Sequence, residues 1–393
     1  MREAYIVSSV RTAVGKAKRG SLAQATPVEM GAVALQGAVD KVANLNLNDV
    51  DDIIVGCAAP EAEQGMNVAQ LIGQRAGRID EITGMTINRM CSSGLQSIAL
   101  AHQAIAFGQS EVMAAGGTES MTMIAMGGNH FMPDPALMTE APTAYMTMGN
   151  TAEQVVKKYN VSREAMDQFA LDSHTKALAA IADGKFVDEI IPMTVKQAMY
   201  NGREVVHREF EFKVDEGPRE GSTLESLGKL RPVFNPRGQV TAATSSQMSD
   251  GAAMTILMSE NKVNELSVKP IAKLLGFVVA PVPASLMGIG PVNAIPKALK
   301  LTGLELSDIG LFELNEAFAS QSIAVINELG LNKDIVNVNG GALALGHPLG
   351  CTGAKLTSTL LHEMQRRSVK YGICTMCVGG GMGAAGVFEN LLL

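Results

Sequence analysis

The run LNLNDVDDIIVG beginning at Leu45 returns in altered form as LELSDIGLFELN beginning at Leu304, 259 residues further along. Each reads as a short polar lead-in, an aspartate and a buried strand. At the same offset Ser92-Ser93-Gly94 falls on Cys351-Thr352-Gly353. Both triplets open a helix-length segment, and both segments lead to a strand entering glycines, at Gly116-Gly117 and at Gly379-Gly380-Gly381. Similarities sharing one offset are the mark of a duplicated supersecondary plan, so the chain reads as two similarly folded halves.

Short apolar runs alternate with helical patterns, which predicts an α/β architecture. Expected strands include Ile53–Val55, Met85–Ile87, Val112–Ala114, Met254–Leu257 and Ile373–Met376, with a helix over Ser92–Phe107 closed by Gly108. The stretch 118–240 has no counterpart in the second half. It carries helical pieces at Thr151–Tyr159 and Ser162–Ala182 and a hairpin-like stretch near 191–213. The expected division is therefore a first half over 1–117 plus 241–260, an insertion over 118–240 and a second half over 261–393. Insertions on a rigid scaffold are a usual place for ligand binding.

Charge narrows the partners. With a net charge of −7 and a pI near 5.5, the chain has no overall basic field to draw in nucleic acid or an anionic membrane. An anionic nucleotide ligand needs a local cationic patch instead. No apolar run approaches the roughly 18 residues of a membrane span, and no leader precedes the strand-like Ala4–Ser8. Five cysteines in 393 residues do not suggest a disulfide framework. The expectation is a soluble cytoplasmic protein.

Four places could carry chemistry. Cys91 lies in NRMCSSG, where a strand gives way to a helix, so free N–H groups and the positive end of the helix dipole favour a reactive thiolate. His347 lies in GHPLGCTG; glycines on both sides let the backbone turn tightly and bring the imidazole against a ligand. Cys377 opens CVGGGMG, whose backbone N–H groups could hold an oxyanion. Cys374 and Cys377 are three apart in a strand and point to opposite faces, which disfavours joint metal binding, and no metal is expected. Asn315, in NEAFA, could hold a water or donate to an oxyanion, though on its own a polar turn residue explains it as well.

NRMCSSG, NEAFA, GHPLGCTGA and CVGGGMG, in that order and at these spacings, resemble the thiolase family over nearly the whole chain. The resemblance implies two βαβαβαββ halves in a layered αβαβα core with an inserted loop domain for coenzyme A. It implies that Cys91 takes the acyl group, that His347 activates Cys91 and then the CoA thiol, and that Cys377 exchanges the C2 proton. The N–H groups of Cys91 and Gly379 would hold one oxyanion, and His347 with a water on Asn315 the other. Arg219 and Ser226 would sit at the nucleotide, Ser246 at the pantetheine, and Met287 and Phe318 would wall its tunnel. Coenzyme A is then a substrate alongside acyl-CoA, no prosthetic group is required, and a homo-oligomer (dimer or tetramer) is expected.

Within the family, acetoacetyl-specific biosynthetic members resemble one another in a His-Met-Gly where this chain has Thr147-Met148-Gly149. Met126–Asn129 and Asp215–Arg219 also look like degradative 3-ketoacyl-CoA thiolases. The expected activity is thiolysis in fatty-acid β-oxidation, with acetoacetyl-CoA synthesis as the alternative. A ketosynthase should carry a second histidine near position 315 and no cysteine at 377. A cysteine hydrolase should lack the CoA loop domain. A non-catalytic lipid carrier could drop the nucleophile, yet Cys91, His347 and Cys377 are all present.

Overall fold

A computed structural model describes residues 2–393. The first half runs through β1 (Ala4–Thr12), β2 (Gly15–Lys16), α1 (Pro27–Asp40), β3 (Asp52–Gly56), α2 (Val68–Arg75), β4 (Gly84–Ile87), α3 (Ser93–Ala106) and β5 (Val112–Ser120). Then come α4 (Pro135–Glu140), α5 (Met148–Tyr159), α6 (Arg163–Ala182), β6 (Ile190–Ile191), the hairpin β7 (Met193–Tyr200) and β8 (Val205–Phe212), and α7 (Leu224–Gly228). The chain returns to the sheet at β9 (Ser249–Ser259). It continues through α8 (Glu260–Leu266), β10 (Ala272–Pro281), α9 (Gly290–Thr302), β11 (Leu311–Leu314), α10 (Ala319–Leu329), α11 (Ala342–Leu345), α12 (Leu349–Arg366), β12 (Tyr371–Val378) and β13 (Met382–Asn390).

The repeat is visible in the pairing. β3 runs parallel to β5, β5 antiparallel to β9, and β9 antiparallel to β1. In the second half β11 runs parallel to β12, β12 antiparallel to β13, and β13 antiparallel to β10. The two half-sheets join through the single antiparallel pair Ile6↔Ala272. Even the lead-ins match: Asn46 N–H donates to Asp49 Oδ2 at 2.8 Å, and Glu305 N–H to Asp308 Oδ2 at 2.8 Å. Each aspartate closes a turn that would otherwise leave a backbone donor unpaired.

Layering follows from which faces are apolar. Every residue of β5 and β9 is buried, as strands covered on both sides must be. Leu95 and Ile98 of α3 and Leu356 and Leu360 of α12 share one core with Met113, Leu257, Met376 and Phe388, so these two helices fill the space between the half-sheets. On the outer faces α1 and α2 cover the first half-sheet, and α9 and α10 the second. The result is the layered αβαβα arrangement. Among the described residues no helix is long and apolar enough to cross a membrane.

β5 continues beyond residue 117 to Ser120 and β9 starts at Ser249, and between them the chain touches the sheet once, where β6 pairs in parallel with β1. The intervening segment is tied to β1 by buried charge. The Arg11 guanidinium makes two 2.8 Å hydrogen bonds to the Asp215 carboxylate and one of 2.6 Å to Glu189. The Val14 N–H also donates to Asp215, at 2.8 Å. Such an array is held in the interior because the Arg11 charge faces two carboxylates at hydrogen-bond distance, with Glu189 Oε2 left without a partner.

Candidate active site

Cys91 sits in a tight turn, Met90–Ser92, between β4 and α3. Met90 adopts φ +45°, a left-handed conformation that costs a side-chain-bearing residue energy and here swings the thiol inward. The turn is held by its own polar neighbours. Asn88 Oδ1 accepts from Met90 N–H at 2.8 Å, and Ser93 Oγ accepts from Arg89 N–H at 2.8 Å while donating to the Met90 carbonyl at 2.7 Å. The N–H groups of Gly379 and of Cys91 itself point at the sulfur.

The sequence favours a reactive thiolate through the free N–H groups, and in the folded protein burial works against them. Burial pushes the Cys91 thiol up to about 11, further than the two N–H groups pull it down, and Glu119 adds in the same direction. Cys91 is 7% exposed, so its sulfur is not solvated as a helix-start cysteine at the surface would be. The thiol therefore rests neutral and needs a base.

His347 supplies one with a defined tautomer. It follows α11 through Gly346 at φ +87°, and its N–H meets the Gln247 carbonyl at 3.1 Å and Ser249 Oγ at 3.2 Å. Its Nδ1 lies 2.6 Å from Thr352 Oγ1, and that hydroxyl donates its proton to the Pro348 carbonyl at 3.0 Å. The hydroxyl oxygen is thus left to accept, so Nδ1 carries the imidazole proton and Nε2 presents its lone pair to the Asn315 amide. Burial first, and the Lys355 charge second, hold His347 down to about 3, so the ring is neutral.

Asn315 directly follows β11, with its N–H on the Thr375 carbonyl at 2.9 Å, and its Nδ2 lies 3.4 Å from His347 Nε2. Its Oδ1 is buried without a partner in the protein, an acceptor aimed at whatever fills the site. Cys377, near the end of β12, is fully buried; burial raises its thiol, and the Cys91 charge raises it further, which places the two sulfurs within reach of each other's field. Cys374, three residues earlier, belongs to the interior core between the half-sheets, whereas Cys377 joins a separate apolar cluster.

Cys91, Cys377 and Gly379 thus form one group at the start of α3 and the end of β12, and His347 and Asn315 form a pair just before α12 and just after β11. Met287 and Phe318 share the apolar cluster of Cys377, with Phe234 edge-on to Phe318 at 6.0 Å. Ser246 is half-buried beside them, its N–H on the Ala317 carbonyl at 2.9 Å. Arg219 and Ser226 lie apart from this cluster on the exposed surface of the inserted segment, and the Arg219 N–H donates to His174 Nδ1 at 3.2 Å.

Three contributors escaped the sequence reading. Thr352 sets the histidine tautomer. Met148 lies 3.9 Å from the place a Gly379 Cβ would take, closing that side of the thiol site. Glu119, 1% exposed, accepts 2.7 Å bonds from both Ala58 N–H and Gly350 N–H and so ties the start of α12 to the loop after β3. The one available signal was for Thr352: five residues after a histidine and four after a helix-starting proline, it sits where a hydroxyl can bond back to the Pro348 carbonyl.

Comparison with known proteins gives two family matches. Residues 4–261 match the family described as "Thiolase, N-terminal domain", and residues 268–390 the family described as "Thiolase, C-terminal domain". The chain is 54% identical over 390 residues to the 3-ketoacyl-CoA thiolase of Bacillus subtilis (strain 168), covering 99% of this chain and 100% of that one. Two solved structures superpose on it. Human mitochondrial 3-ketoacyl-CoA thiolase does so with a TM-score of 0.89 at 37% identity, over 99% of each chain. Bacillus anthracis acetyl-CoA acetyltransferase does so with a TM-score of 0.88 at 40% identity, over 100% of this chain and 99% of that one.

Proposed function

The chain belongs to the thiolase family, and from that premise we propose that it is an acyltransferase cleaving 3-ketoacyl-CoA with coenzyme A to acetyl-CoA and a shortened acyl-CoA. The observation that supports the chemistry is a neutral His347 whose Nε2 lone pair faces Asn315 Nδ2 at 3.4 Å.

Nε2 takes the Cys91 proton as the sulfur attacks the C3 carbonyl. The attacked oxygen becomes an oxyanion held by the N–H groups of Cys91 and Gly379, and the enolate oxygen that develops on the departing thioester is held by His347 and a water on Asn315, whose Oδ1 is otherwise without a partner. Collapse breaks the C2–C3 bond and leaves the acyl group on Cys91. The carbanion at C2 takes the Cys377 proton and departs as acetyl-CoA. The proton gained by His347 passes to the Cys377 sulfur, which restores the neutral imidazole. Nε2 then accepts the proton of the incoming CoA thiol, whose sulfur attacks the acyl-cysteine. The N–H groups of Cys91 and Gly379 hold the thioester oxyanion, and the Cys91 sulfur leaves with the proton from His347. Two resting neutral thiols suit this scheme, because charge develops only when a substrate oxygen is there to receive it.

The inserted segment, taken as 118–240 between halves 1–117 plus 241–260 and 261–393, is the part that holds coenzyme A. Arg219 and Ser226 serve the nucleotide, Ser246 the pantetheine, and Met287 and Phe318 wall the tunnel. No prosthetic group takes part. The cell compartment in this reading is the cytoplasm, where five unpaired cysteines stay reduced. The chain works as a homo-oligomer, a reading supported by edge strand β4, beside which Met66 and Phe107 are 93% and 72% exposed.

A narrower reading, an acetoacetyl-CoA-specific acetyltransferase, has the Bacillus anthracis structural match in its favour. Thiolysis rates on acetoacetyl-CoA and on longer 3-ketoacyl-CoA substrates decide. Higher kcat/KM on the longer chains is expected; activity confined to acetoacetyl-CoA moves the assignment to the acetyltransferase, and no activity on any chain rejects both.

A further inference from the structure

The segment Lys16-Ala17-Lys18-Arg19 places three cations within four residues of a chain whose net charge is −7. Lys18 and Arg19 are exposed and Lys16 is half-buried. Among the described residues none of the three, and not Arg219, has a carboxylate within ion-pair distance. The carboxylate bonded directly to this strap is otherwise engaged. Glu216 accepts from Lys16 N–H at 2.7 Å, Ser21 N–H at 2.9 Å and Ser21 Oγ at 2.9 Å, so it binds the strap's backbone rather than its cations.

The strap is built in. Ala17 N–H donates to the Met248 carbonyl at 3.0 Å, two residues from Ser246. Glu216 N–H donates to the Val14 carbonyl at 3.3 Å, three residues before Arg219. Lys18 N–H donates to Thr122 Oγ1 at 2.6 Å, and that hydroxyl is itself held by buried Asp250. Lys18 stands at φ +69°, a conformation usually left to glycine. A lysine kept there by three separate anchors indicates that the surroundings dictate the turn and that its side chain is presented outward for a reason. His174, beneath Arg219, is held down to about 4 by burial and then by the charges of Arg219 and Lys16, so both cations face one neutral ring and their charge is left for a ligand.

We infer that the strap 16–19 and Arg219 form one cationic rim that binds the phosphate groups of coenzyme A. The inference rests on the thiolase reading above and extends it to the strap between β1 and α1. The strap bridges the two stretches assigned to the cofactor's ends, at Ser246 and at Arg219, and so lies along the path between pantetheine and nucleotide. Unpaired cations gathered at the mouth of a site in an acidic protein also raise the local concentration of a highly anionic substrate.

The test compares the wild type with Lys18→Ala/Arg19→Ala, using calorimetric binding of coenzyme A, 3′-dephospho-coenzyme A and pantetheine to the full-length protein. The expected result is a weakening of about tenfold for coenzyme A, of the size one or two lost charge contacts give, with pantetheine binding unaltered. If dephospho-coenzyme A escapes the loss, the rim holds the 3′-phosphate; if it shares the loss, the rim holds the pyrophosphate. Equal weakening of all three ligands, or of none, overturns the inference. Circular dichroism guards against misfolding, and Lys18→Gln/Arg19→Gln, which keeps length and removes charge, must reproduce the pattern. Because binding is read without turnover, a wild type that binds coenzyme A but cleaves no 3-ketoacyl-CoA rejects the proposed reaction and leaves this result readable.

Discussion

A base is useful only if its lone pair faces the proton it must take, and in this protein that is decided by one hydroxyl. Thr352 Oγ1 gives its proton to Pro348 and accepts from His347 Nδ1. Thr352→Val removes the acceptor while keeping the shape. Thiolysis kcat/KM is expected to fall on the order of 100-fold, the usual worth of a well-placed general base. Thr352→Ser should restore most of it, and a variant at wild-type activity would refute the tautomer argument. A second expectation concerns Cys91, held up to about 11 by burial. A thiol with a raised pKa gains thiolate tenfold per pH unit until that value. Alkylation of Cys91 by iodoacetamide in the free enzyme should therefore still be climbing at about pH 9, past the ordinary cysteine range. A plateau near neutrality would show a resting thiolate instead. His347 was legible in the sequence from its flanking glycines; its partner was not, because a tautomer depends on which atom the imidazole meets after folding.

At the scale of elements, the repeated triplets at 92–94 and 351–353 acquire a physical reason. A Cβ on Gly94 would lie 2.7 Å from the Ala354 nitrogen, and one on Gly353 would lie 2.3 Å from the Leu95 nitrogen. The two helices thus cross backbone to backbone at their first turns, and the glycines hold the same place in each copy. This crossing brings both helix starts to the site, one carrying Cys91 and the other following His347. Gly353→Ala should destabilise the protein by roughly 1–3 kcal/mol, the range for forcing a methyl into a packed core. A guanidinium midpoint unchanged from wild type would mean the helices can part at little cost. Strands, helices and the hairpin were readable from period and punctuation. The sequence did not show how far β5 and β9 run, because both are buried at every position and have no polar face to mark an end.

For the whole molecule, β4 lies at one edge of the sheet with Met85 42% exposed on it. Long apolar edges are rarely left open, and a second copy pairing there accounts for Met66 and Phe107 as well. Light scattering after size exclusion should give a multiple of the 41.3 kDa chain, and Met85→Lys should shift it towards that single-chain mass. A wild type that runs as a monomer would remove the oligomer from the reading. The sequence by itself determined the duplicated α/β plan and singled out the motif residues from which the site is proposed. These depend on periodicity, turn chemistry and local spacing, which a linear chain displays. Only the tertiary structure decided that Cys91 rests as a neutral thiol, that His347 offers Nε2, and that a strap near residue 16 stands beside Arg219. Those depend on burial and on contacts between residues as far apart in sequence as Cys91 and Gly379, which exist only once the two halves have closed on each other.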